Sequence, residues 1–564
     1  MADRGVRRPF RFELSQVLVL GLTLLILVLF IVYPLAKVVL AAFLEKDKAP
    51  TLANLTLANF AEFGSSALYR GALRNTMVVG LLTVVFSCAL GIPMAWFMAK
   101  TEMPFKTLFL SLGTLPLILP PFIGAYSWVL LFGRRGMLTG LLKQFLAIQV
   151  PDIYGPVGVI LAMSLSYYPF VLLLTYGALL SADPFIEESA EIMGASRWHI
   201  LRTVTLPLVA PAILAAALTV FIRAVGNFGV PALLGGNYYV LPTLIYFQVV
   251  GYFDLNAASA IAIINVLLVA AAIFLSQRVT AGKSYVTVRS TTREARESQS
   301  RLLAAIGTVV CLLVVLLSLL PHLTVIFTSF TEGWAGTRFP KKFSLANYAR
   351  IWQIARTPLT NSLFLSVVAT AVATVTGTLL AYLQVRRGTK FRWVLDITVM
   401  LPFILPGIIV GVAILVGFSS GLIVLSGTWM IMVLGYFIRR MPYVFRSTTA
   451  SLSQIDAAIE EASTIAGAPW LLTFRRITLP LMLPGILAGA IISFSTLMGE
   501  LSTTVMLYSA QWKTVTIAIM DYLSAANIGP AYSLGAILIA LVLGAILLAN
   551  RILGRSMSQM FRMV

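Results

Sequence analysis

Residues 183 to 214 read DPFIEESAEIMGASRWHILRTVTLPLVAPAIL, and residues 456 to 487 read DAAIEEASTIAGAPWLLTFRRITLPLMLPGIL. At this fixed offset of 273 residues, 15 of the 32 positions are identical and no gap is needed. Each copy is a polar segment between two long apolar runs. A polar segment that occurs twice between apolar runs indicates that the chain has two homologous halves, and that the segment serves more than packing.

Each copy has the pattern of two short helices joined at a glycine. Asp183 is followed by proline, a combination that favours an N-cap and a first helical turn. Acidic residues then lie near the positive N-terminus of that helix. Gly194 and Gly467 end the first short helix, because glycine tolerates the left-handed conformation at a helix C-terminus. We therefore predict a helix–glycine–helix projection, called a knuckle from here on, at residues 183–207 and again at residues 456–480.

The composition is that of a protein that crosses a membrane many times. Of its 564 residues, 59% are hydrophobic and only 11% are charged, whereas a soluble domain has about 25% charged residues. The net charge of +20 comes from basic residues scattered through short loops, which fits the positive-inside rule better than a groove for nucleic acid. Cys88 and Cys311 both lie in apolar runs, so no disulfide framework is expected. We predict an all-α polytopic membrane protein with no metal site, no cofactor and no nucleic-acid partner.

The sequence contains no complete nucleotide-binding motif. Residues 281–284, Ala-Gly-Lys-Ser, resemble the end of a phosphate-binding loop. However, residue 277 is Gln rather than Gly, and no strand precedes the stretch. We therefore predict that the chain is not an enzyme and does not hydrolyse ATP.

Hydropathy predicts twelve spans, six in each half. They fall at about 15–43, 73–99, 107–132, 156–180, 208–232 and 256–277, then at about 302–329, 361–385, 393–418, 424–445, 481–505 and 531–551. The first run is too long for the apolar region of a cleaved signal peptide, so we expect a retained span. Twelve spans place both termini on one side. Connections on that side carry basic residues, among them Lys100, Lys106, Arg386, Arg387, Lys390, Arg392, Arg439, Arg440 and Arg446, which predicts that this side is cytoplasmic.

The repeat extends well beyond the knuckles. Leu-Pro pairs at 115–116 and 119–120 recur 286 residues later, at 401–402 and 405–406. The change of offset from 286 to 273 places 13 extra residues in the first half, in a loop around 133–155. Because both knuckles lie on one side, the halves are predicted to be parallel repeats related by an axis along the membrane normal. The predicted division is a first repeat at 1–277, a polar cytoplasmic linker at 278–301 and a second repeat at 302–564.

The knuckle sequence resembles a known family. The pattern E-(A/S)-(A/S)-x-x-x-G-A, with Leu-Pro ending thirteen residues after the glycine, is similar to the cytoplasmic signature loop of importer-type (type I) ABC permeases. In that family the knuckle is a coupling helix that lies in a cleft on an ATP-hydrolysing subunit. The resemblance implies the type I permease fold in a bacterial inner membrane, with membrane lipid, two ATP-binding subunits and a periplasmic or lipid-anchored substrate-binding protein as partners. The coupling residues that it implies are Glu187, Glu188, Gly194, Ala195, Arg202, Pro207, Glu460, Glu461, Gly467, Ala468, Arg475 and Pro480.

The fifth span of each half is interrupted at matching places, which predicts the translocation path. The path residues are expected to be Arg223, Gly226, Asn227, Gly499 and Glu500, with the glycines allowing the helices to unwind and expose backbone groups in a cavity. A buried charge needs a partner or water, so Arg223 and Glu500 are expected either to pair across the halves as a latch or to face water. In an alternative interpretation Arg223 snorkels and Glu500 caps a broken helix at the outer interface. The sequence leaves both open.

A fused chain with two signature loops resembles the iron(III) branch of the family, as do the segments 227–235 and 500–504. The resemblance implies ferric iron as the cargo. Thiamine, 2-aminoethylphosphonate or a polyamine stays open, because these motifs specify the coupling machinery and not the cargo. The alternative from another class is a secondary transporter with parallel repeats, which would need ion-coupling residues at mid-membrane and would not need two knuckles.

Overall fold

The computed structural model describes residues 25–46, 50–117, 119–134, 136–147, 152–280, 300–332, 342–387, 392–421 and 423–553, together with residues 21, 48 and 340. The start of the predicted first span, most of the predicted linker and the segment 281–284 lie outside these residues. Nearly all regular structure in the described part is helical, as expected where backbone polar groups cannot bond to water.

The helices of the first half follow one another with short connections. They are α1 (Leu25–Ala42), α2 (Ala58–Ser65), α3 (Ala67–Lys100), α4 (Lys106–Leu117), α5 (Pro121–Phe132), α6 (Met137–Leu146), α7 (Pro156–Ser181), α8 (Pro184–Ile192), α9 (Trp198–Val225), α10 (Gly229–Leu234), α11 (Leu241–Gly251) and α12 (Leu255–Thr280). A single 3-10 turn, Leu52–Asn54, precedes α2.

The second half repeats this order. Its helices are α13 (Arg301–Ser329), α14 (Ala346–Ile354), α15 (Arg356–Arg387), α16 (Arg392–Ile404), α17 (Gly407–Phe418), α18 (Trp429–Leu452), α19 (Ala458–Ile465), α20 (Trp470–Met498), α21 (Thr504–Leu507), α22 (Val515–Ser524) and α23 (Ile528–Leu553). Two short antiparallel strands, β1 (Thr331–Glu332) and β2 (Lys342–Phe343), lie between α13 and α14. Among the described residues only α6 has no counterpart in the other half, and it lies in the predicted insertion around 133–155.

The number of membrane-spanning helices depends on how bent segments are counted. In the described residues nine helices are long and apolar enough to span, and α4–α5 and α16–α17 are two further pairs, each bent at a proline-rich break. The second pair is bent by 110°. Proline lacks a backbone donor and disfavours helix in the residue before it, which accounts for both breaks. The predicted total of twelve also requires α18, a 24-residue helix that carries three arginines, and it stays a prediction.

The two halves are joined by their first helices. Within each half the second and fourth long helices pack along each other, as α3 with α7 and α15 with α18. By contrast, α1 packs against α17 of the second half, where the rings of Phe30 and Tyr33 lie 6.0 and 5.8 Å from that of Phe418. In the same way α13 packs against α3, α4 and α5 of the first half. The halves therefore form one continuous helical body with a shared centre.

Candidate coupling loops and translocation path

The two knuckles have the same backbone conformation. Asp183 Oδ1 accepts a hydrogen bond from the backbone N–H two residues on at 3.0 Å, and Asp456 Oδ1 makes the equivalent bond at 3.0 Å. The short helices α8 and α19 follow, and each ends two residues before its glycine. Gly194 and Gly467 both have φ of +85°, the left-handed region that side chains disfavour. The helix–glycine–helix form predicted from the sequence is present in both halves.

One glutamate of each knuckle is directed towards the helical body. Glu187 forms an ion pair of 2.7 Å with Lys100 at the end of α3, and Glu460 forms one of 2.8 Å with Arg386 near the end of α15. Glu460 also accepts a hydrogen bond from the hydroxyl of Tyr382. All four charged side chains of these pairs are at most 22% exposed, so solvent screens them less than surface pairs. These contacts tie each knuckle to the second long helix of its own half.

Apolar side chains cover the tips of the knuckles. Ile192 and Met193, just before the first glycine, are 87% and 81% exposed, and Ile465 in the second knuckle is 87% exposed. Trp198 and Leu471 are also exposed. Large apolar side chains clustered at a projecting tip are typical of a surface that another protein covers. The other predicted coupling residues are less uniform, since Arg202 and Arg475 are exposed whereas Glu188 is half-buried.

Each knuckle continues into the helix that reaches the centre of the molecule. A π-helical turn lies at Leu201–Thr205 in α9, and another lies at the equivalent residues Phe474–Thr478 in α20. The helix α9 ends at Val225 and α20 ends at Met498, immediately before the predicted breaks. One continuous helix therefore connects each knuckle to the break of its half.

The breaks line a central cavity of about 230 Å³. This volume exceeds by more than tenfold the roughly 15 Å³ that one water molecule needs. Its walls come from equivalent parts of the two halves, namely the α4–α5 bend, α7 and the end of α9, and the α16–α17 bend, α18 and the end of α20. The five predicted path residues, Arg223, Gly226, Asn227, Gly499 and Glu500, all line it.

The two halves present different chemistry at equivalent positions of this cavity. In the first half Asn227 donates a hydrogen bond of 2.7 Å to the hydroxyl of Tyr167. The equivalent residues of the second half, 273 positions later, are Glu500 and Arg440, and they form an ion pair of 2.5 Å. Glu500 also pairs with Arg439 at 2.7 Å. Asn227 and Glu500 each cap the helix that follows. A side-chain oxygen of each residue accepts a hydrogen bond from the backbone N–H three residues later.

Arg439 and Arg440 are the site residues that sequence reasoning missed. The prediction that these two arginines lie in a cytoplasmic connection is wrong, because they lie within α18 and line the cavity. Their side chains are 15% and 8% exposed, and that of Glu500 is 5% exposed. The available signal was two adjacent arginines inside an otherwise apolar run, which marks an intramembrane site by the same rule that selected Arg223.

Of the two arrangements predicted for Arg223 and Glu500, the ion pair between them is not formed, and both residues line the cavity. The guanidinium of Arg223 lies 5.3 Å from the ring centre of Phe170 and 5.6 Å from that of Phe403, within the range of cation–π attraction. It also donates a hydrogen bond of 3.2 Å to the hydroxyl of Tyr443, in the second half. At this point the halves are therefore joined by Arg223 of the first half and the aromatic side chains of Phe403 and Tyr443 of the second. Glu500 pairs with arginines of its own half.

The glycines at the breaks have a role other than the one predicted. Gly226 and Gly499 have φ of −91° and −98°, which any residue adopts, so backbone freedom does not explain them. A Cβ on Gly226 would lie 2.9 Å from Pro406, and one on Gly499 would lie 2.4 Å from Pro120. Each glycine thus lets the end of one half's helix approach the proline bend of the other half.

Comparisons with known proteins agree with this architecture. A family model described as binding-protein-dependent transport system inner membrane component matches residues 90–282 and again residues 373–559. The ferric transport system permease protein FbpB of Actinobacillus pleuropneumoniae is 28% identical over 94% of this chain and 77% of its own length. A putative ferric transport system permease protein, FbpB 1 of Haemophilus influenzae, is 29% identical over 92% of this chain and 81% of its own. The putative 2-aminoethylphosphonate transport system permease protein PhnV of Salmonella paratyphi A is 31% identical over 45% of this chain and 95% of its own.

Proposed function

Because the chain belongs to the family of binding-protein-dependent transport system inner membrane components, we propose that it is the complete permease of an ABC importer for ferric iron. Both halves of the path are on one chain, so one copy suffices to enclose the cavity. The family places the chain in the inner membrane as a multi-pass protein. Both termini and both knuckles then face the cytoplasm, and a secondary transporter, which needs no knuckles, is disfavoured.

The observation that carries this proposal is the pair of matching knuckles. Two projections with the same glycine conformation and exposed apolar tips suit two identical partners. Each is held to its half by a partly buried ion pair and leads into the helix that ends at the cavity. Two ATP-binding subunits would dock there, with residues Glu188, Ala195, Arg202 and Pro207 of the first knuckle and Glu461, Ala468, Arg475 and Pro480 of the second contributing. ATP hydrolysis belongs to those subunits.

Ferric iron as cargo rests on the similar permeases that match more than nine-tenths of the chain. A substrate-binding protein on the outer side, periplasmic or lipid-anchored, would deliver it. The half-length relative keeps 2-aminoethylphosphonate as the second candidate cargo.

Two measurements test the machinery and the cargo separately. Affinity purification of the tagged full-length chain from its native membrane should recover an ATP-binding subunit, and its absence after mild crosslinking would refute the coupling proposal. Uptake of ⁵⁵Fe(III) should fall in a strain that lacks the chain and return on complementation. Equal iron uptake in both strains, together with lost uptake of 2-aminoethylphosphonate, would transfer the proposal to the second cargo.

A further inference from the structure

The central cavity carries an excess of positive charge. Among the described residues that line it, the ionised side chains are Arg223, Arg439, Arg440 and Glu500, which leaves a formal charge of +2. Its partial neutralisation is confined to the second half, where Glu500 holds Arg439 and Arg440. Rings of arginine or lysine select anions in pores, whereas carboxylate rings select cations.

One of these arginines has no acidic partner in the described part of the chain. Arg223 has described contacts only with aromatic groups, the rings of Phe170 and Phe403 and the hydroxyl of Tyr443, and none of them supplies a carboxylate. Arg440, by contrast, is buried and paired with Glu500. Among the described lining residues, Arg223 is therefore the arginine whose charge no carboxylate contacts directly.

The same cavity offers nothing that would hold a bare ferric ion. Glu500 is the single acidic residue of the described lining, and both of its oxygens already accept from arginines. Nowhere in the described residues do three or more His, Cys, Asp or Glu side chains come together to hold a metal ion. A trivalent cation would therefore meet repulsion without ligands to replace its water.

Building on the proposed function, we propose that the cavity passes iron as an anionic complex, with ferric ion enclosed by carboxylate or phosphate ligands. Arg223, half-buried and in no ion pair with a described residue, attracts the ligand shell from the first half, and Arg439 and Arg440 add the excess positive charge of the second half. The cavity thus selects for the net negative charge of the complex and not for the metal.

The asymmetry of the halves provides a charge-swap test. Thr496 lines the cavity at the position equivalent to Arg223. Arg223→Thr removes one positive charge, and the double variant Arg223→Thr/Thr496→Arg restores it on the opposite wall. Uptake of ⁵⁵Fe(III) supplied as ferric citrate is measured in cells with equal amounts of chain in the membrane. Uptake by the single variant should fall about tenfold. That factor corresponds to the attraction between one positive charge and one negative charge about 10 Å apart in a partly polar medium.

The swap and a conservative variant separate charge from structure. Arg223→Lys, which keeps the charge but not the planar contact with the rings, and the double variant should both recover at least about a third of wild-type uptake. Unchanged or faster uptake by Arg223→Thr would overturn the anionic complex, as would a double variant that inserts normally but stays as slow as the single one. Iron uptake that does not depend on the chain at all would instead overturn the iron function itself.

Discussion

Replacing Glu500 by Gln is expected to destabilise the second half of the protein far more than an equivalent change destabilises the first half. The carboxylate holds Arg439 and Arg440 through contacts of 2.7 and 2.5 Å. Glutamine keeps the size of the side chain but removes its charge, which leaves two like charges buried side by side. Loss of one partner from a buried ion pair costs about 3–5 kcal/mol.

The first half supplies the matched control. Asn227 stands at the equivalent position, where it makes a neutral hydrogen bond of 2.7 Å to Tyr167 and caps the next helix, so Asn227→Ala should cost about 2 kcal/mol. The purified full-length chain is heated in detergent, and the fraction that stays monodisperse is followed by size-exclusion chromatography. Glu500→Gln should lose the monodisperse form at a markedly lower temperature than Asn227→Ala.

Hydrogen exchange shows where the destabilisation acts. Because Glu500 follows α20 and its arginines lie on α18, exchange should rise in residues 429–452 and 470–498 of Glu500→Gln and stay unchanged in residues 156–181. A thermal shift no larger than that of Asn227→Ala, or a rise in exchange spread equally over both halves, would refute the ion-pair account.

Three further variants test the knuckles and the approach of the halves. Changing Gly194 and Gly467 together to valine should abolish uptake with normal amounts of chain in the membrane, because a side chain at φ of +85° costs about 1–2 kcal/mol at each site; normal uptake would refute the coupling role. Gly499→Ala should slow uptake strongly, because its Cβ would lie 2.4 Å from a proline of the other half. The control Gly544→Ala, whose Cβ would lie in open space, should leave the uptake rate unchanged. Equal uptake rates in the two variants would contradict the close approach of the halves. Glu460→Gln should speed proteolysis of the second knuckle but not of the first, since it removes an ion pair of 2.8 Å, and equal cleavage of both knuckles would count against that tie.

Local signals in the sequence predict much of the geometry of the candidate site. Gly194 and Gly467 end short helices in the expected conformation, because a glycine after a capped helix acts through its own backbone. The interruptions after Val225 and Met498 also lie at the predicted positions. The knuckle conformation depends on a few neighbouring residues, and the duplication shows both features twice.

The partners of the buried charges depend on distant residues, and here the sequence was insufficient. Arg439 and Arg440 lie inside an apolar run, and hydropathy alone does not distinguish the end of a span from a helix that lines a cavity. Their burial is tolerated because Glu500, about sixty residues further on, compensates them. The sequence alone suggests that Gly499 gives its own backbone freedom to unwind, whereas in the structure this glycine makes room for Pro120 of the other half. Such pairings become visible only when the halves are packed together.

If one chain forms a whole permease and each of its two knuckles binds one ATP-binding subunit, the complex has a fixed composition. Native mass measurement of the complex purified through the tagged full-length chain determines that composition. We expect one copy of the 61.3 kDa chain with two copies of the ATP-binding subunit, falling to one copy of that subunit when a single knuckle glycine is changed to valine. Two copies of the chain in the complex, or an unchanged complex when both knuckle glycines are changed, would contradict it.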